Sequence, residues 1–189
     1  MKLNDDIASA VAVLQNGGLI LYPTDTVWGI GCDARNEQAV QKIYALKQRS
    51  EQKSMIILVG DEKEILNYTE ESTPVIFDYI KGIHKPTTVI YEQAKNLASN
   101  LVNADGSIAI RIVKDEFCKA LIKAFGKAIV STSSNISGYP PPAFFQDIDA
   151  AIKNGVDYIV QHRRDDLSPA SPSTIVKLLK DGTIEVIRP

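Results

Sequence analysis

Three clusters of polar residues each lie at the end of an apolar run, and their side chains suit the handling of anions better than nucleophilic attack. The first is Tyr22-Pro23-Thr24-Asp25-Thr26. Hydroxyls directly after a buried strand face the carboxyl edge of an α/β sheet, where ligands bind. The same residues also make plain turns, with Thr24 or Asp25 bonding its own backbone. The second is Lys47-Gln48-Arg49, with Lys53 close behind. A guanidinium fork and an ammonium can neutralise a polyphosphate, and basic side chains at a helix C-terminus equally complement its dipole. The third is Ser131-Thr132-Ser133-Ser134-Asn135-Ile136-Ser137-Gly138. It can present donors to an anion or a ribose, or be a solvated loop. Residue chemistry alone leaves both readings open for each cluster.

Several machineries lack their residues. No GxxxxGK[ST] phosphate loop occurs, and the dinucleotide-like start Gly29-Ile30-Gly31 meets Ala34 and Arg35 where a third glycine is needed. The two histidines, His84 and His162, read as surface or packing residues, and they support neither a metal cluster nor a Ser-His-Asp set. Cys32 and Cys118 make neither a disulfide framework nor a zinc spacing. No protein-held metal is expected. A net charge of -2 and a pI near 5.7 give no global attraction for nucleic acid. The first residues carry too many carboxylates for a signal peptide, and no run of about 18 apolar residues could cross a membrane. The reading is cytoplasmic, with the sequons at Asn67 and Asn135 as chance matches.

The elements that must position these clusters follow from periodicity. Ile7, Val11 and Leu14 predict a helix over 5–16, stopped by Gly17-Gly18. Residues 19–22 read as a buried strand, and a loop entering a short strand follows. Asn36 can cap a helix to about Lys47. The continuous apolar run 55–59 is typical of a strand covered on both faces. Helices are expected near 61–67 and 73–82, and strands at 87–91 and 107–113. Asp115 can cap a helix to Phe125, stopped by Gly126. A strand at 127–131 feeds the third cluster. A helix near 146–154 and a strand at 158–160 come next. Residues 161–173 are the longest loop. Two final strands join through Asp181-Gly182, a strong hairpin signal. The alternation argues for an α/β domain with a mixed sheet.

Taken together, these segments resemble the YrdC/TsaC family. The stretch YPTDTVWGIGCDARNEQAVQKIYALKQRS is similar to its opening signature. Lys47-X-Arg49 with Ser133-X-Asn135 is similar to its Lys-X-Arg…Ser-X-Asn pattern, and IAIRIV, STSSNISG and PSTIVKL fall in the family's order. The resemblance implies one YrdC-like domain over 1–189, with a twisted mixed sheet flanked by helices and a large concave cleft. It implies synthesis of threonylcarbamoyl-AMP and pyrophosphate from L-threonine, bicarbonate and ATP, the ATP carrying Mg2+. A separate tRNA threonylcarbamoyl transferase would use the product, and weak contact with tRNA or double-stranded RNA is an accompanying expectation.

By the same resemblance Lys47, Arg49, Ser133 and Asn135 are the catalytic set. ATP falls to Arg49, Lys53, Thr88, Ser133, Asn135 and Arg188, and threonine to Thr26, Arg111, Ser131 and Thr174. The chain departs from many relatives at His84-Lys85-Pro86, Leu58, Lys53 and Lys177. The competing reading is a YrdC-like double-stranded RNA-binding module without catalysis. Hydrogenase-maturation proteins with such domains are longer and carry zinc-finger segments.

Overall fold

The structure is a computed structural model that describes residues 2–50, 55–70, 74–179 and 183–189. Lys53 and the Asp181-Gly182 turn lie outside the described residues. Helix α1 (Leu3–Gln15) buries Ile7, Ala10 and Leu14 on one stripe, and Gly17, at φ 69, turns the chain into β1 (Ile20–Tyr22). Strand β2 (Gly29–Gly31) follows the first polar cluster. The Asn36 side chain accepts from Ala39 N at 3.0 Å to start α2 (Glu37–Lys47), and Gln48 ends it in the left-handed region at φ 50. Then come β3 (Ile56–Val59), α3 (Glu62–Ile65), α4 (Pro74–Lys81), β4 (Thr87–Tyr91) and β5 (Ile108–Ile112). Asp115 caps α5 (Glu116–Phe125) through Cys118 N at 2.8 Å. The chain finishes with β6 (Ile129–Ser133), α6 (Ala150–Asn154), β7 (Tyr158–Ile159), β8 (Thr174–Leu178) and β9 (Ile184–Arg188).

Among the described residues the nine strands form one sheet, in the order β7-β1-β2-β6-β3-β5-β4-β8-β9. It is mixed: β1·β7, β3·β5 and β4·β8 are parallel pairs and the other neighbours antiparallel. Period-two alternation sorts the side chains. Ile30, Ile57, Val59, Val89, Tyr91, Ile110, Val130 and Val176 face one layer, where α2 packs with Val40, Ile43 and Tyr44. Ile20, Tyr22, Leu58 and Ile129 face the other, where α1 and α5 supply Leu14, Phe117 and Leu121. No residue of β4, β5 or β8 belongs to that second cluster. On that side those strands carry Thr88, Arg111 and Ile175 at paired positions, Thr88 opposite Arg111 and beside Ile175. A stretch of sheet face is thus left for polar groups.

The structure revises several boundaries. Strand β6 runs two residues beyond the expected end, because Thr132 and Ser133 pair with Ile30 and Gly29 of β2. The expected helix at 146–154 divides into a 3-10 turn, Phe145–Asp147, and α6, which Asp149 caps through Ala151 N at 2.7 Å. A 3-10 turn at Ser99–Leu101 was not anticipated.

Candidate active site

Three of the sequence clusters meet at one cavity of about 220 Å³ on the sheet face just described. Its wall includes Thr26, Arg49, Arg111, Ser131, Ser133 and Arg188, six of the residues singled out from sequence. Gly29 lies beneath them: a β-carbon there would come within 3.1 Å of Ser131 Oγ, so glycine keeps that part of the floor open.

The first cluster forms a closed turn. Thr24 Oγ1 donates to Val27 O at 2.8 Å and accepts from Thr26 N at 3.0 Å. Its contact with Thr26 Oγ1, at 2.9 Å, must then use the Thr26 proton. Thr26 therefore turns lone pairs to the cavity and suits a ligand that donates. Next to it, Asp25 Oδ1 lies 3.2 Å from Arg111 Nη2, with the two side chains 9% and 3% exposed. Arg111 Nε is buried without a hydrogen-bond partner among the described residues. A buried unsatisfied donor costs roughly 1–3 kcal/mol, which an anionic ligand would recover.

The second cluster splits in two. Arg49 reaches the wall because the chain reverses at Gln48, where Arg49 N donates to Tyr44 O at 2.9 Å. Lys47 points elsewhere. It is 1% exposed, and its ammonium donates to Ser133 O and, at 2.5 Å, to Asn135 O. It thereby pins the third cluster to the end of α2. Burial first, and the Arg49 charge second, bring the Lys47 ammonium down from 10.5 to about 7. Burial also lowers Arg49, and burial with the nearby Arg111 charge lowers Arg188. Crowded cations in a half-buried site favour a polyanion.

Four assigned residues stand off this wall. Besides Lys47, Thr88 is fully buried, its hydroxyl 2.8 Å from Ser173 Oγ. Thr174 is taken up by the β4·β8 ladder, its N donating to Pro86 O at 3.0 Å. Asn135 spends its amide on Ile136 O and Tyr139 O, at 3.0 and 2.7 Å. Its buried Oδ1 has no hydrogen-bond partner among the described residues, and Asn135 lines a neighbouring recess of about 580 Å³ with Gln48, Ser134 and Tyr139. Pro141 borders both spaces. At 220 Å³ the cavity itself is smaller than the 300–1,000 Å³ usual for ligand sites. Sequence reasoning missed Ser173, whose carbonyl accepts from Arg188 Nε and Nη2 at 3.1 and 2.8 Å. Its place directly before Thr174 was the available signal. A wider open groove of about 1120 Å³ runs past Arg35, Asn36 and Asn100, but its Lys127 is already paired with Asp33 at 2.7 Å.

Comparison with known proteins shows the family and the fold. Residues 12–189 match the Sua5/YciO/YrdC family, described as telomere recombination. The chain belongs to that family. A threonylcarbamoyl-AMP synthase of Idiomarina loihiensis is 34% identical over 167 residues, covering 87% of this chain and 89% of that protein. One from an Enterobacter species is 33% identical over 170 residues, covering 87% and 88%. Among solved structures, P. abyssi Sua5 complexed with L-threonine has the same fold, with a TM-score of 0.85 at 22% identity. The match covers 97% of this chain and 53% of that one, so this chain spans about half of the Sua5 protein.

Proposed function

We propose that this chain makes threonylcarbamoyl-AMP and pyrophosphate from L-threonine, bicarbonate and ATP, for threonylcarbamoyladenosine modification of tRNA. The observation that carries the reading is one cavity where three guanidiniums, of Arg49, Arg111 and Arg188, face the hydroxyls of Thr26, Ser131 and Ser133. Relatives named for this activity and a family member complexed with L-threonine support it.

The chemistry asks for charge and position. Threonine's amine displaces water from bicarbonate to give a carbamate. A carbamate oxygen then bonds to the α-phosphorus of ATP as the bond to the pyrophosphate oxygen breaks. Both reactants are anions, so bringing them together is the principal barrier for the protein to lower. Arg49 and Arg188 take the phosphate charge, and Arg111, with a free Nε, holds a carboxylate or carbamate oxygen. Thr26 accepts from the threonine amine or hydroxyl. Ser131 and Ser133 donate to the transferring group, while Lys47 fixes the loop that bears Ser133. The nucleoside extends past Pro141 to the Asn135 recess. No three His, Cys, Asp or Glu side chains are grouped for a metal among the described residues, and the magnesium belongs to the ATP substrate. Thr88 and Thr174 act behind or beside this wall, and Lys53 keeps the ATP role that the family resemblance implies.

A separate transferase carries the group onward to tRNA. The near-balanced charge makes any direct tRNA contact weak and salt-sensitive. No described helix is long and apolar enough to cross a membrane, and the reaction belongs in the cytoplasm with ATP and tRNA. The deciding experiment measures pyrophosphate release with each substrate omitted in turn. Release should require threonine and bicarbonate together, and equal ATP turnover without threonine would overturn the reading.

A further inference from the structure

The turn that carries Thr26 is braced from outside the cavity. Thr24 O accepts from Arg163 Nη2 at 2.9 Å. Nη1 of the same guanidinium donates to Asp115 Oδ2 at 2.6 Å, and Nε faces Asp166 Oδ2 at 3.3 Å. Asp115 is the cap of α5, and it caps through its other oxygen. One planar fork thus ties together the 23–28 turn, the start of α5 and the 161–173 segment, a geometry an ammonium cannot reproduce.

The base of the brace is itself fixed. The Asp6 carboxylate, 2% exposed, accepts from Gln161 N and His162 N at 2.9 and 2.8 Å, and the His162 ring stacks on Phe117 of α5 at 5.1 Å. Arg163 then adopts φ 60, a left-handed conformation that non-glycine residues avoid unless their surroundings determine it. Arg163 does not line the cavity.

We infer that Arg163 is a positioning residue for the amino-acid end of the site. By holding the Thr24 carbonyl it sets where Thr26 Oγ1 and the Asp25–Arg111 pair stand. The fork bonds Thr24, Asp115 and Asp166, whereas Arg49 follows α2 and Arg188 lies on β9, held by Ser173 O at the far end of the segment, ten positions beyond Arg163. Its loss should therefore separate the two substrates kinetically. The inference rests on the proposed reaction only in reading the Thr26 end as the threonine end.

The test compares wild type, Arg163→Ala, Arg163→Lys and Asp166→Asn, varying threonine and ATP separately. In Arg163→Ala the threonine KM should rise by about 10- to 100-fold, the cost expected of a small misplacement. The ATP KM should stay within about 3-fold. Arg163→Lys should lie between, since it can serve Asp115 or Thr24 but not both. Asp166→Asn leaves the Thr24 contact intact and should behave as wild type. Trp28, the only tryptophan, sits next to the turn and is 7% exposed, so its fluorescence should become easier to quench with acrylamide in Arg163→Ala. A parallel rise in both KM values, unchanged quenching, or loss of the fold would overturn the inference. A wild type that never responds to threonine would instead overturn the proposed reaction, and Trp28 quenching would still decide the brace.

Discussion

Arg49 enters the cavity only because Gln48 takes a left-handed cap, so Lys47 and Arg49, on either side of that cap, part company. Arg49→Ala should cost roughly 2–4 kcal/mol of transition-state stabilisation, about 30- to 1,000-fold in kcat/KM. The melting temperature should change little, because a half-exposed charge adds little to stability. Arg49→Lys should recover only part of the loss, as steady-state kinetics would show. Lys47 gives a pH signature. Its ammonium titrates near 7 in the unliganded protein, and a polyphosphate bound nearby would raise that value. The complex then holds more protons than the free protein just above pH 7, so ATP affinity should fall as pH rises through that window. Calorimetry in buffers of different ionisation enthalpy should show proton uptake on binding, absent in Lys47→Met. At this scale the sequence revealed what is local. Asn36 and Asp115 were readable as caps because donor and acceptor lie three residues apart. The Arg163–Thr24 contact spans 139 positions and Lys47–Ser133 spans 86, and no local pattern signals either.

Strand β2 shows what an element needs beyond propensity. It is only Gly29–Gly31, yet it joins β1 to β6 within the sheet. At Gly31 a β-carbon would stand 2.7 Å from the Tyr22 ring and 2.8 Å from Val130 O. Gly31→Ala should therefore destabilise by about 1–3 kcal/mol, as overpacking does. That corresponds to a melting temperature lower by roughly 2–12 °C for a chain of this size. Gly126→Ala offers a contrast, since only its φ of 76 opposes a side chain and nothing lies within 4 Å. It should cost about 1 kcal/mol, and thermal melts of both variants would rank them. Most elements were legible because their apolar period or caps stand out: β4 at 87–91 and α5 ending at Phe125 match the sequence reading. The extension of β6 through Ser133 was not, because Thr132 and Ser133 are polar and join the strand only through their β2 partners.

At the scale of the whole molecule, the cavity draws its wall from Thr26 to Arg188, and its elements meet only through the sheet order. That order places β6 between β2 and β3 and β8 beside β4, pairings that hydrophobic patterning does not encode. The mixed α/β class was legible from alternating elements, whereas the strand order was not. An apolar layer packs on each face of the sheet, and each layer contains one cysteine. Cys32 lies in the layer with α2 and Cys118 in the layer with α1 and α5. Both are free and no more than 1% exposed, and burial holds both thiols protonated by raising their pKa. A thiol reagent can reach either only when its layer opens, so modification rates at the two sites act as independent clocks of local opening. The cavity opens on the face shared with α1 and α5, so substrates bound there should slow the Cys118 clock more than the Cys32 clock. The native pair therefore serves as a built-in label that requires no engineered probe.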